Sequence, residues 1–304
     1  MRAKLHAWWE GVDVPGEETF ELAVLEEQEE PPPELTPRFT ALYRLWGGWR
    51  ANPQEAGRDA AMLDALDLSP ADPICVLGPG GIAPIKDLLA LRAGAIEAFE
   101  WRDEGYSALR SYASQIPGRP VPVHPLKLDG AGMKGRFAGL LSYDELGYTP
   151  ALERFIAATL EPLRVGAAAV FEGYCTEDPL LETGSAFATA FAVPVLRSSE
   201  DVRLAFELLG AKVESVEDRT QAHILAVRAA FQNFSERTQA GLQPLQPGVA
   251  RELAWEAESW RVRLMLLSAG KLKRMRFVVR KPHETARMKK LSFFRMLTGP
   301  TRGG

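Results

Sequence analysis

Apolar positions in this chain alternate between strand-like and helix-like spacing, which predicts an α/β fold. Pro73-Ile-Cys-Val-Leu77 is a short, continuously apolar run, the pattern of a strand buried on both faces of a parallel sheet. It runs straight into Gly78-Pro-Gly-Gly81. From Ile82 to Arg92, Ile85, Leu88, Leu89 and Leu91 fall on one helical face, and Gly94 supplies the stop. Ala95 to Glu100 reads as a second strand, Glu104 to Ser114 as a second helix, and Pro120 to Leu128 as a third strand marked by prolines. Phe137 to Tyr143 is a fourth strand, Ala151 to Leu163 a helix, and Gly166 to Phe171 a fifth strand.

The later half carries the more diagnostic order. Val202, Ala205, Phe206 and Leu209 follow helical spacing up to Gly210, after which Ala211 to Glu217 alternates with period two. Ile224, Val227, Phe231 and Phe234 form another helical stripe and Trp255 to Ala269 a second, before Met275 to Arg280 returns to extended structure. The expected organisation is an acidic arm and cap over residues 1–66, a core over 67–220, a helical insertion over 221–270, a closing strand over 271–283 and a basic tail over 284–304.

Charge refines this picture. Residues 1–35 carry ten carboxylates against Arg2 and Lys4 and end at Pro31-Pro-Pro33, whereas the last stretch is rich in Lys and Arg. The two ends suit pairing with each other or contact with an anionic surface or ligand. Over the 304 residues, 36 Lys and Arg stand against 40 Asp and Glu, a net charge of −4, so no nucleic-acid partner is expected. Cys75 and Cys175 read as two reduced core thiols, and His6, His124, His223 and His283 are too scattered for a metal site. The longest uncharged apolar stretch, Thr183 to Leu196, contains Pro194 and falls short of the ~20 residues a membrane span needs. The N-terminus has no apolar signal region, so a cytoplasmic location is expected.

A strand, a glycine-rich turn, a helix and a second strand ending in an acid make a nucleotide-binding arrangement. The glycines let backbone approach the ligand closely, and the Glu100 carboxylate can accept from two ribose hydroxyls. A purely structural turn and a solvated strand-end charge explain the same residues.

Further segments point the same way: Leu45-Trp-Gly47 before the core, Val76-Leu-Gly-Pro-Gly-Gly81, Phe99-Glu100, Leu141-Ser-Tyr-Asp144, Leu208 to Thr220, and Arg276-Phe-Val-Val-Arg-Lys-Pro282. On these, over roughly Leu42 to Pro282, the chain resembles the class I S-adenosylmethionine-dependent methyltransferases. The resemblance implies a doubly wound, Rossmann-like sheet of seven strands with the last antiparallel, plus a helical insertion and an N-terminal cap. It implies S-adenosylmethionine as cofactor, with Gly78, Gly80 and Gly81 at its methionine and ribose end, Glu100 on the ribose and Trp101 against the adenine. Ser142, Tyr143 and Asp144 would stand where the fourth strand opens onto the methyl donor, and Asp129 is the acid chosen from the adenine-contact loop Leu126–Gly132.

The chain departs from the family pattern in three places. Val76 stands where an acid is usual, Ile82 where a third glycine is usual, and Pro79 removes a backbone donor. Methyl transfer needs no nucleophile triad, because the sulfonium carbon is already electrophilic; a base for the acceptor would come from Tyr143, Asp144, His124 or Glu172. Trp8, Trp9, Tyr43, Trp46 and Trp49 suit either a lid over the cofactor or plain core packing. The expected activity is methyl transfer to a small-molecule or lipid-like acceptor. Two rivals stay open. One is a catalytically silent homologue acting as an interaction or regulatory protein, favoured by Val76, Pro79 and Ile82. The other is an NAD-dependent oxidoreductase, since Gly78-Pro-Gly-Gly-Ile-Ala83 also fits a looser dinucleotide pattern.

Overall fold

The computed structural model describes residues 35–281, apart from 54, 56, 93, 115, 117–118, 130–131, 179–180, 182–194 and 240–245. The acidic arm, Trp8 and Trp9, most of the Thr183–Leu196 stretch and the basic tail therefore lie outside the described residues.

Two helices precede the sheet. α1 (Pro37–Trp46) starts at Thr36, whose hydroxyl accepts from the Phe39 N–H, and has proline at its first position. α2 (Arg58–Asp64) follows. The core then alternates as the spacing predicts: β1 (Ile74–Leu77), α3 (Ile82–Leu91), β2 (Ile96–Glu100), α4 (Asp103–Ala113), β3 (Val123–Pro125), β4 (Phe137–Ser142), a single 3₁₀ turn (Glu145–Gly147), α5 (Leu152–Leu160) and β5 (Leu163–Thr176). It closes with α6 (Ser199–Leu208), β6 (Lys212–Asp218), α7 (Thr220–Gln239), α8 (Pro247–Ser268) and β7 (Leu272–Arg280).

The strands form one seven-stranded sheet in the order β3-β2-β1-β4-β5-β7-β6. β1 to β5 pair in parallel, and β7 lies antiparallel between β5 and β6. Alternate residues feed opposite faces, as strand geometry requires. Cys75, Leu77, Leu140, Phe171 and Phe277 pack under α5 and α6, while Ile74, Val76, Leu141, Val170 and Val278 pack under α2, α3 and α4. A dinucleotide fold does not call for the antiparallel strand, which counts against the oxidoreductase alternative.

Two strands differ from the sequence expectation. β3 covers only Val123–Pro125, not Pro120–Leu128, because prolines at 120, 122 and 125 have no N–H to give a ladder. β5 is longer than Gly166–Phe171, since β7 pairs with it from Ala168 to Thr176. The overhang matters: β4 ends opposite Phe171, so Glu172 and Tyr174 of β5, with Arg274 and Arg276 of β7, stand beyond the end of β4. α1, α7 and α8 come together through Trp46, whose ring lies 5.6 Å from Phe231 and 5.2 Å from Trp260. Among the described residues no helix is long and apolar enough to cross a membrane.

Candidate functional site

Strand order reverses between β1 and β4, and in open α/β sheets this switch point leaves a crevice outside the carboxyl ends of the strands. Gly78 leaves β1 there with φ of +50°, and its N–H donates to the Phe99 carbonyl at 2.7 Å. The segment 49–51 lies along the glycine turn, bridged to it at Arg50 and Gly81: the Ala51 N–H donates to the Gly80 carbonyl at 2.8 Å, and the Ile82 N–H to the Trp49 carbonyl at 3.1 Å. A Cβ on Gly81 would overlap that Trp49 oxygen, so the close approach demands glycine.

Glu100 ends β2 fully enclosed. Its Oε2 accepts from the Gly80 N–H at 2.8 Å, tying the second strand to the turn after the first. Its Oε1 accepts from the N–H groups of Trp101 and Arg102, each at 3.0 Å, and from Arg102 Nη1 at 2.9 Å. Its four donors match the roughly four acceptor directions a carboxylate offers, three of them on Oε1 and one on Oε2. The Trp101 ring has the Arg102 guanidinium 4.1 Å from its centroid and the Tyr148 ring, tilted by 37°, at 4.8 Å; its indole N–H has no hydrogen-bond partner.

Glu145, in the turn after β4, is fully buried in the same crevice. Its Oε2 accepts from the Ser142 hydroxyl and from the Asp144 N–H. Its Oε1 has no partner and occupies the place a Cβ on Gly78 would take. Burial raises the Glu145 pKa, against the Ser142 hydrogen bond and the Arg102 charge, which lower it.

Beside the crevice lies a buried ionic network. Arg274 donates to Asp144 at 2.6 Å, to the Tyr143 carbonyl at 2.7 Å and to Glu172 at 3.3 Å, while Arg276 donates to Glu172 at 2.8 Å. The Tyr143 hydroxyl donates to Asp59 at 2.8 Å, and the Arg58 guanidinium lies 4.6 Å over the Tyr143 ring. Burial alone would raise the Glu172 pKa, but Arg58, Arg274 and Arg276 outweigh it and hold the carboxylate below its ordinary range.

The Tyr174 hydroxyl lies 2.7 Å from His223 Nε2. Burial, then the charges of Arg274, Arg58 and Arg263, push the His223 pKa well below 6.5, so the folded protein keeps a neutral imidazole that the unfolded chain protonates. This contribution to stability is complete above pH 6.5 and is lost on acidification, by up to about 1.4 kcal/mol per pH unit. Urea unfolding at successive pH values should show this slope in the wild type and a shallower one in His223→Gln. Identical slopes would refute it.

The structure gathers most of the residues expected from the sequence. Gly78, Gly80, Gly81, Glu100, Trp101 and Ser142 line or abut the crevice. Tyr143 and Asp144 stand next to it but direct their polar atoms to Asp59 and Arg274. Asp129 is half-buried in the loop that continues from Leu126, whose N–H donates to the Glu100 carbonyl. His124 lies on edge strand β3, with a 45% exposed side chain 3.4 Å from Glu97, and Glu172 belongs to the ionic network. Of the aromatic lid candidates, Trp46 packs among the helices, while Trp49 lends its backbone to the glycine turn. Glu145, Arg102, Tyr148 and Arg274 were not singled out by the sequence; no motif distinguishes them from other charged or aromatic surface positions.

Cys75 and Cys175 are both free and buried, and no cluster of metal-ligating side chains occurs among the described residues. Among the described residues, a surface hollow of about 440 Å³ beside Arg38 and Trp255 and another of about 350 Å³ along α4 lie away from the crevice.

No family model and no curated protein sequence matches the chain. Solved structures do match. Phosphoethanolamine N-methyltransferase 2 of Haemonchus contortus, in complex with phosphomonomethylethanolamine and S-adenosylhomocysteine, superposes with a TM-score of 0.67 at 14% identity, over 82% of this chain and 58% of that one. The chain thus spans little more than half the length of that enzyme. Geranyl diphosphate C-methyltransferase of Streptomyces coelicolor A3(2), with Mg²⁺, geranyl diphosphate and S-adenosylhomocysteine, gives 0.55 at 11% identity over 74% of this chain and 80% of that one. The [4+2]-cyclase SpnF gives 0.60 at 13% identity over 79% and 94%. The fold is that of S-adenosylmethionine-dependent methyltransferases.

Proposed function

We propose that the chain binds S-adenosylmethionine in the crevice between β1 and β4 and transfers its methyl group to a small-molecule or lipid-like acceptor. The observation that carries this reading is the Glu100 carboxylate at the end of β2, anchored on the glycine turn through the Gly80 N–H, its only donor on Oε2. The donor set suits the cofactor. Glu100 would take a ribose hydroxyl in exchange for one of its present donors, and the unpartnered Glu145 Oε1 and Trp101 N–H are buried polar groups in the same crevice. When bound, the cofactor supplies an electrophilic methyl carbon attached to a sulfonium. The protein's part is to align the acceptor with that carbon and to exclude water.

Asp144 and Tyr143 act here as holding groups rather than bases, because Arg274 and Asp59 already take their polar atoms. The net charge of −4 suits a small acceptor better than a nucleic acid, and the cytoplasm is the proposed location. Both S-adenosylhomocysteine-bound neighbours act on small molecules by their names, which supports the acceptor class.

Thermal unfolding with S-adenosylmethionine, S-adenosylhomocysteine or NAD tests the reading. A ligand at 100 times its Kd stabilises by ~2.7 kcal/mol, several degrees for a domain of this size. The two sulfur compounds should raise Tm and NAD should not, and the shift should vanish in Glu100→Gln.

One observation favours a second reading. Glu145 and the Trp101 and Tyr148 rings, in contact at 37°, fill the crevice, as in a silent homologue that keeps the fold for interaction or regulation. A well-folded sample with no shift from any of the ligands would select it.

A further inference from the structure

The parallel strands leave their amino ends at the pole of the sheet opposite the crevice. Three large apolar side chains face water there: Leu91 at the end of α3, 51% exposed, Val165 near the start of β5, 46%, and Leu208 at the end of α6, 52%. Hydrogen bonds and strand register fix them at that pole. Gly94 after α3 donates to the Pro70 carbonyl ahead of β1, the Gly166 carbonyl beside Val165 accepts from Arg280, and β6, which follows α6, begins with Lys212 opposite Arg280. Exposed bases share the pole, Lys134 and Arg136 ahead of β4 and Lys212 itself. Asp67 and Glu161 face water as well, and Arg164 and Arg280 are held by Asp72 and Glu214, so the described part of the pole is only mildly basic.

Strand β7 also ends at this pole. The next residue, Lys281, donates through its N–H to the Ala167 carbonyl and through Nζ to the carbonyls of Glu161 and Leu163, which ties the exit of the chain to the start of β5. The sequence that follows carries five Lys and Arg against Glu284. Within it, Arg287-Met-Lys-Lys-Leu-Ser-Phe-Phe-Arg-Met-Leu297 interleaves four bases with six apolar residues.

We propose that this pole and the segment 287–297 dock the protein on an anionic lipid surface, with Phe293 and Phe294 entering the interface and Leu91, Val165 and Leu208 resting on it. An anionic leaflet attracts bases and takes apolar side chains into its boundary, so one partner answers both features. A nucleic acid would use the bases, but its phosphate contacts and base stacking leave leucine, valine and methionine without a role. The crevice lies at the other end of the sheet, so the docked protein presents it to water. On the methyl-transfer reading, an acceptor then reaches the crevice from solution and not directly out of the bilayer. Because the two ends are separate, failure of the lipid contact and failure of the cofactor reading would be seen independently.

Co-sedimentation of the full chain with phosphatidylcholine vesicles, with and without phosphatidylserine, tests the assignment. Binding is expected only with phosphatidylserine and should weaken at high salt, because ions screen the surface charge. Each base near such a surface is worth about fivefold in affinity, so Lys289→Glu with Lys290→Glu should weaken binding by at least about 25-fold. Phe293→Ser with Phe294→Ser should weaken it at least ~10-fold at unchanged charge. Leu91→Gln with Leu208→Gln, at two exposed positions outside the core, should weaken it several-fold, with circular dichroism checking the fold. Equal binding to both kinds of vesicle, or binding to neither, would overturn the proposal. Full binding by the serine variant would overturn the insertion, and full binding by the glutamine variant would overturn the orientation. A single-stranded oligonucleotide that displaces the vesicles at lower concentration would assign the bases to nucleic acid instead. A dimer that forms without vesicles, blocks vesicle binding and dissociates in Leu208→Gln would assign the pole to a second copy of the chain.

Discussion

Arg274→Met should lower the stability of the folded protein by about 3–5 kcal/mol, the usual cost of breaking a buried ion pair from one side. The guanidinium is almost fully enclosed and serves three acceptors at once: Asp144, Glu172 and the Tyr143 carbonyl. Methionine keeps the apolar stem, so packing alone would cost little. Two carboxylates would lose a partner, however, and only Glu172 keeps another, through Arg276. Urea denaturation at neutral pH measures the loss. Arg274→Lys restores the charge but not the fork that reaches strand-end carbonyl and carboxylates together, so it should recover only part of the stability. Adding Asp144→Asn to Arg274→Met should also return part of the loss, because it removes one orphaned charge. A loss below about 1 kcal/mol in the single variant would mean that water reaches the network and screens it.

Gly81→Ala should be nearly as damaging, by about 3 kcal/mol, because strain and overlap add. Its φ is +156°, and the new methyl group would run into the Trp49 carbonyl, a backbone atom that no rotamer change can move aside. Relief requires the segment 49–51 to lift from the turn, which breaks the hydrogen bonds Ala51 N–H to Gly80 and Ile82 N–H to Trp49. Two measurements check this: a fall in Tm, and faster tryptic cleavage after Arg50, which pairs with Gly81 across the bridge. Gly57→Ala is the control. Position 57 has a φ of +68° but nothing within 4 Å of a new Cβ, so only the conformational cost of about 1 kcal/mol applies.

Both results bear on function, because the residues concerned hold the two sides of the crevice. Arg274 fixes the segment after β4 that carries Glu145, and Gly81 fixes the segment 49–51 that lies over the glycine turn. A variant that loosens either side should weaken a crevice ligand in proportion to its loss of order, not by altering a contact.

What the sequence by itself determined is the set of local elements and their order. Ile74–Leu77, the glycine turn, Ile82–Leu91 and Ile96–Glu100 are dictated by apolar spacing and by glycines, both properties of a few neighbouring residues. The acid at the end of β2, and its pairing with a glycine turn about twenty residues earlier, follow from that order, and the structure joins them through one hydrogen bond. The lengths of β3 and β5 were less legible. One depends on three prolines, a local fact; the other depends on a strand 100 residues later that pairs with it only in the folded sheet. The partners in the crevice were not legible at all. Arg274 and Asp144 are separated by 130 residues in the chain, Tyr143 and Asp59 by 84, and Tyr174 and His223 by 49. Glu145 looks in the sequence like any acid beginning a turn. It becomes a buried carboxylate against Gly78 only because β1 and β4 are neighbours at the switch point, and adjacency across a sheet is set by the packing of whole elements, which no local spacing encodes.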